Sequence, residues 1–246
     1  MSPFLFRGQS DATWGLTTTL ERYLPCRVRI DDYYTGIWRA KSQIETFTGL
    51  QWDVPPPSEI SKRLETKTSP PYGILPGYEY LVYLRHHSFP SPLLDWSQSP
   101  YVVAFFAFNQ ATPQTKRVAI YVYWEDVGYG KGISPSLPHI QTLTTNVRSH
   151  RRHFVQQSQY TVCSALDAGE WYFARHEEAL SSGVLQQVRT GEQDLLWKFT
   201  IPAVEWRKVL RMLNRYSLNA FSLFGSDESL MESIAMYAFI LQDDDL

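Results

Sequence analysis

Cysteine is nearly missing from this chain: its 246 residues hold two, Cys26 and Cys163, far apart in sequence. So few exclude a disulfide framework and a cysteine-based zinc site, and they suit a reducing compartment. Charge of one sign is missing too. Lysine and arginine total 23 against 25 aspartates and glutamates, so no global field draws the chain to nucleic acid or anionic lipid. No apolar run reaches the ~20 residues of a membrane span, and no charged-then-apolar leader precedes Phe4. A cytoplasmic protein without a membrane partner is expected. The phosphate-cradling motifs are absent, both the Walker loop and GxGxxG, as is the Gly-x-Ser-x-Gly elbow. The histidines are scattered and show no His-x-x-x-His spacing, so no metal site is expected.

Aromatic residues are plentiful, at 15% with 8 Trp and 15 Tyr. They predict a heavy aromatic core, with a stacking surface for a base as the alternative. No internal repeat or linker divides the chain, so one α+β domain over residues 1–246 is expected, with a full core of its own. Helical spacing is read at residues 17–21, 32–50, 58–64 (capped by Ser58), 78–86, 202–216 and 227–241. Strands are read at 4–6, 118–124, 157–163 and 195–201, and 218–223 as a short extended piece. Residues 51–76 and 128–138 are rich in Pro or Gly and read as loops. Residues 146–153 hold the one basic cluster, Arg148, Arg151 and Arg152, ordinarily a solvated face and sometimes a phosphate site.

The most informative stretch is His86 to Phe108. Its polar opening, with Leu93-Leu94-Asp95-Trp96-Ser97, runs into an uncharged apolar segment, Tyr101 to Phe108. Ser99-Pro100 is a helix-start signal, and the segment reads as a helix buried all round. The polar residues therefore stand where a short strand turns into a central helix, a common place for a ligand site.

With Phe6-Arg7-Gly8-Gln9, this stretch resembles the FRG domain family. The shared features are His86-His87, Pro90, Leu93-Leu94-Asp95-Trp96-Ser97, Pro100 and Ala104-Phe105-Phe106-Ala107. Arg85, Ser88, Ser91 and Pro92 stand where the family has Gln, Gly, Thr and Arg. The similarity extends from Arg151-Arg152 through Gln156-Gln157 to Tyr160-Thr161-Val162, to Lys198 through Pro202, and to Leu223-Phe224 with Asp227 and Glu228.

An arginine at one strand end, a serine at another and a late acid also resemble the Arg–Ser–Glu pattern of ADP-ribosyltransferases. That resemblance implies a mixed or antiparallel split sheet with flanking helices and NAD as the cofactor-like substrate. In it Arg7-Gly8 supplies the first element, Asp95-Trp96-Ser97 the second and Glu228 or Asp227 the third. Together with the FRG motif positions this gives Glu228, His87 and Asp95 as catalytic candidates and Arg7, Gly8, Gln9, His86, Ser97 and Gln157 as nucleotide-binding ones. The implied activity is ADP-ribose transfer to a macromolecular acceptor, or NAD hydrolysis, as a bacterial toxin or phage-defence effector. The alternative is a non-catalytic module binding a nucleotide or a protein.

Each residue also has a plainer reading. Arg7 can tie strand ends by pairing with Asp95, while Asp95 and Ser97 can cap the buried helix. The histidines can be hydrogen-bonded near the core, and Glu228 can be a first-turn acid favoured by the helix dipole.

Overall fold

The alternating segments become strands, and among the described residues every strand pairing is antiparallel. The protein is described by a computed structural model over residues 3–65, 75–112, 114–126, 131–132, 134–143, 151–181 and 193–241. Eight strands form one sheet: β1 (Leu5–Gln9), β2 (Val28–Arg29), β3 (Leu94–Ser97), β4 (Arg117–Asp126), β5 (His139–Thr142), β6 (Ser158–Asp167), β7 (Glu170–Phe173) and β8 (Gln193–Pro202). Their order is β2-β7-β6-β3-β1-β4-β8, with β5 also paired to β6. Ten helices are described: α1 (Thr19–Tyr23), α2 (Ile30–Thr48), α3 (Pro57–Leu64), α4 (Tyr78–His86), α5 (Pro100–Asn109), α6 (Arg151–Val155), α7 (His176–Ser181), α8 (Trp206–Arg215), α9 (Ala220–Phe224) and α10 (Asp227–Phe239). The α+β class follows, and the sheet is antiparallel rather than mixed.

Period-two alternation sorts the strand residues between cores. On β6, Tyr160 and Val162 join a core built on α2 and α4, while on β4 Val118 and Ile120 join one built on α5, α8 and α9. The intervening residues Tyr121, Tyr123, Cys163 and Ala165 meet Leu5, Leu94 and Trp96 in a third core. The boundary between the two helical cores thus falls at β1 and β3, the strands between β6 and β4.

Helix α5 starts as its sequence dictates: the Ser99 side chain accepts from Val102 N at 3.3 Å, and Pro100 takes the first turn. It is not buried all round, because Tyr101 is 58% exposed, but Phe105 is only 3% exposed. Phe105→Ala is expected to cost about 3–5 kcal/mol as a core truncation, measured by denaturant unfolding.

Several expectations are corrected. β1 does not stop at residue 6 but carries Arg7 and Gly8 in mid-strand. Ser58 lies inside α3, whose cap position is Pro56 with Pro57 in the first turn. Pro202 ends β8, and a short 3-10 turn (Ala203–Glu205) precedes α8. Residues 218–223 are not extended: Asn219 accepts from Ser222 N in a capping box and starts α9. Parts of the two loop readings, and Arg148, lie outside the described residues.

Candidate functional site

β1 and β3 pair at one register position, Phe6↔Ser97. The next antiparallel rung would join Arg7 to Trp96, but the ladder ends and a side chain takes over: Arg7 Nη1 donates to Asp95 O at 2.7 Å. On its other edge β1 stays paired with β4 over all five of its residues, so the opening has one fixed wall. Gly8 explains the close packing behind that wall. A Cβ there would stand 2.1 Å from Val103 O of α5, so the helix reaches β1 only because residue 8 has no side chain. The close approach that Gly8 permits is to a helix backbone.

The opening is the mouth of a cleft of about 830 Å3. Arg7, Gly8, Gln9, His86, Asp95 and Ser97 all line it. Three residues expected at the site do not. His87 lies at the end of α4 with its ring 4.3 Å from Tyr83, and Gln157 is an exposed turn residue at φ 48°. Glu228 is exposed in the first turn of α10, and its own backbone N–H and the Ser226 hydroxyl lower its pKa. The cleft is also lined by Arg22, Arg85, Arg152, Gln156, Tyr160 and Phe224, none of them among the expected site residues, although all but Arg22 lie in segments that carry the family resemblance.

Among the described residues, four arginines therefore line a cleft whose one lining carboxylate is Asp95. Arg85 Nη2 makes a short ion pair with Asp95 Oδ2, and Arg22 Nη1 is held by Thr17 O at 2.9 Å. Burial lowers the Arg7 pKa to about 10; Asp95 opposes that shift, while Arg85 and Arg22 add to it by repulsion. Arg7 Nε, Arg85 Nε and Asp95 Oδ1 are buried with no hydrogen-bond partner among the described residues, a pattern that asks for an explanation. Cationic donors crowded into one cleft are the setting in which a multiply charged anion is held.

The far wall comes from the second half of the chain. Arg152 lies 5.4 Å from the Phe224 ring and donates from Nε to Phe224 O at 3.1 Å. Gln156 Nε2 donates to Leu223 O at 3.1 Å, tying α9 to the cleft. The Tyr160 hydroxyl and His86 Nε2 are 2.8 Å apart, and His153 stacks on Tyr160 at 5.8 Å. Burial first, and Asp95 next, hold the Tyr160 phenol protonated far above its ordinary range. Ser97 is pinned rather than open: its Oγ donates to Gln156 O at 2.7 Å and accepts from Ser99 N at 3.0 Å.

The FRG domain family model matches residues 2–116, the segment that supplies Arg7, Arg85, His86, Asp95 and α5. This chain carries an FRG domain. No curated protein and no solved structure matches it. The FRG match ends before the far wall, so Arg152, Gln156, Tyr160 and Phe224 lie outside it. The motif residues of the FRG domain have distinct tasks here. Arg7 bridges the open strands, Gly8 admits α5, and Asp95 neutralises Arg85. Ser88, at the family's glycine position, holds a left-handed φ of 62° just after α4. Among the described residues no group of His, Cys, Asp or Glu is arranged to hold a metal ion, and no helix is long and apolar enough to cross a membrane.

Proposed function

We propose that the cleft binds NAD or a closely related nucleotide diphosphate and cleaves the bond between ribose and nicotinamide, passing ADP-ribose to water or to an acceptor. The observation that carries this reading is the convergence of Arg7, Arg22, Arg85 and Arg152 on one cleft with Asp95 as its lining carboxylate. A diphosphate supplies the negative charge those guanidiniums lack, and planar forks suit its oxygens. Phe6, Trp14, Phe106 and Phe224 give the same cleft apolar walls for bases. In the reaction the C–N bond breaks and its electron pair leaves with nicotinamide. An oxygen of water or acceptor bonds to the sugar carbon and releases its proton, for which His86 is the histidine in the cleft. Asp95 is the group placed to oppose positive charge developing on the ribose, since Glu228 does not line the cleft.

A second reading, nucleotide binding without turnover, is favoured by the Arg85–Asp95 ion pair, which already occupies one oxygen of that carboxylate.

Thermal unfolding with and without NAD tests the binding that both readings share. NAD at about a hundred times its Kd adds about 2.7 kcal/mol of stability, raising the Tm of a chain of this size by roughly 5–10 °C. An unchanged Tm at millimolar NAD removes NAD as the ligand. Release of free nicotinamide separates turnover from binding.

A further inference from the structure

We propose that the outer faces of α8 and α10 form a self-complementary surface through which two copies of the chain associate about a two-fold axis. Both helices contribute residues to the core around α5. Leu210 and Asn214 of α8 and Ser233 and Met236 of α10 converge with Phe105 around a gap of about 20 Å3, and Arg211 Nε donates to Leu241 O at 3.0 Å. Their opposite faces point outward.

On α10, Asp227, Met231, Ile234 and Ala238 recur at helical spacing along one stripe. Met231 is 57% exposed, Ile234 53%, and the flanking Tyr237 and Phe239 58% and 86%. So broad an apolar face, uncovered among the described residues, is the mark of an interface. The charges on this helix are all acidic, and no lysine or arginine occurs from residue 227 to the end of the sequence. α8 has the reverse character. Lys208, Met212 and Arg215 form its outer stripe, Met212 is 54% exposed, and every charge within α8 is basic, although Glu205 stands just before it.

A cover for this layer must set acids against α8, bases against α10 and apolar groups between them. The surface supplies that pattern itself. Under a two-fold axis that sets α8 of one copy over α10 of the other, the contact is isologous and closed. An anionic lipid surface or nucleic acid would meet the acids of α10, which disfavours both as occupants.

Sedimentation velocity on the full chain from 1 to 200 µM tests the association. A monomer–dimer equilibrium with no larger species is expected, weakened in 1 M NaCl. Ile234→Glu, at an exposed site and with unchanged circular dichroism, is expected to raise the dimer Kd about a hundredfold, because the change enters twice. Geometry is tested in a Cys26→Ser background, since Cys26 is exposed. Mixing Met212→Cys with Ile234→Cys chains should give a disulfide-linked heterodimer in excess of either homodimer. A wild type that stays monomeric at 200 µM overturns the proposal. So does an open-ended oligomer, a dimer indifferent to Ile234→Glu, or preferential Met212→Cys homodimers.

Discussion

Asp95→Asn is expected to lower NAD turnover by about 100- to 1000-fold while NAD affinity is kept or rises, since Arg85 is released from its ion pair. The size is that of removing one preorganised electrostatic group, roughly 3–4 kcal/mol of transition-state stabilisation. Affinity is spared because a carboxylate facing the sugar acts mainly once positive charge develops there. The backbone oxygen that accepts from Arg7 is untouched by the substitution, so the seam between β1 and β3 should survive. Glu228→Gln is the matched comparison. Exposed and outside the cleft lining, Glu228 should tolerate loss of charge with turnover unchanged. Steady-state nicotinamide release by the three proteins decides the assignment. Full activity in Asp95→Asn would remove Asp95 from the chemistry, and a selective loss in Glu228→Gln would move the role to that acid. No nicotinamide from the wild type, together with a clear NAD-dependent rise in Tm, would establish binding alone.

The second large effect concerns acid. His139 and His176 are buried, and desolvation lowers each pKa to about 3, with Lys131 adding for both and Arg7 for His176. His176 Nε2 shares a 2.9 Å hydrogen bond with Thr161 Oγ1. The folded pKa lies below the unfolded one, so between about pH 6.5 and 3 the unfolded chain binds protons that the native chain cannot. Stability must therefore fall as pH drops through that window, by up to about 1.4 kcal/mol per pH unit for each histidine. By pH 4.5 the loss reaches roughly 5 kcal/mol at most, against a total of about 5–15 for an ordinary domain. Glu21 and Asp194, whose pKa values burial raises, act with the opposite sign and reduce the loss. Urea unfolding at several pH values between 7.5 and 4.5 measures the slope. His176→Gln should remove close to half of it, and a flat profile would show that the unfolded chain gains no such advantage.

The elements read most easily were those set by local chemistry. α5 follows from Ser99-Pro100 and an uncharged run, β4 and β8 from alternation, and α2 from its spacing. β5 and β7 were missed because four-residue strands carry almost no period, and their pairing to β6 is a tertiary fact. The 218–223 segment was misread because the Asn219 cap needs Ser222 to answer it, a short-range signal easily lost beside Ser217. At the site, the FRG motif led to Arg7, His86 and Asp95, which are local to recognisable patterns. Arg152 is legible in a basic cluster and in a segment that resembles the family, but neither says that it turns into the cleft, and Gln156 is one residue from Gln157, the expected ligand. Nothing in sequence says which of two neighbouring side chains faces inward when the turn between them adopts a positive φ, as Gln157 does. Arg85 is legible as a departure from the family and Asp95 as a motif residue, yet their pairing appears only when α4 and β3 are brought together.

The single rung between β1 and β3 has a consequence for how the backbone breathes. In most sheets amide protection deepens toward the middle, and the edges open first. Here the middle is basted with one stitch and one side chain, so exchange with deuterated solvent should be quickest along a central gap and slowest in the fully laddered β4 and β8. An anion that drew Arg7 toward itself would take away the thread that holds Asp95. The fabric would have to be resewn through the ligand, and slower exchange along that gap would mark it.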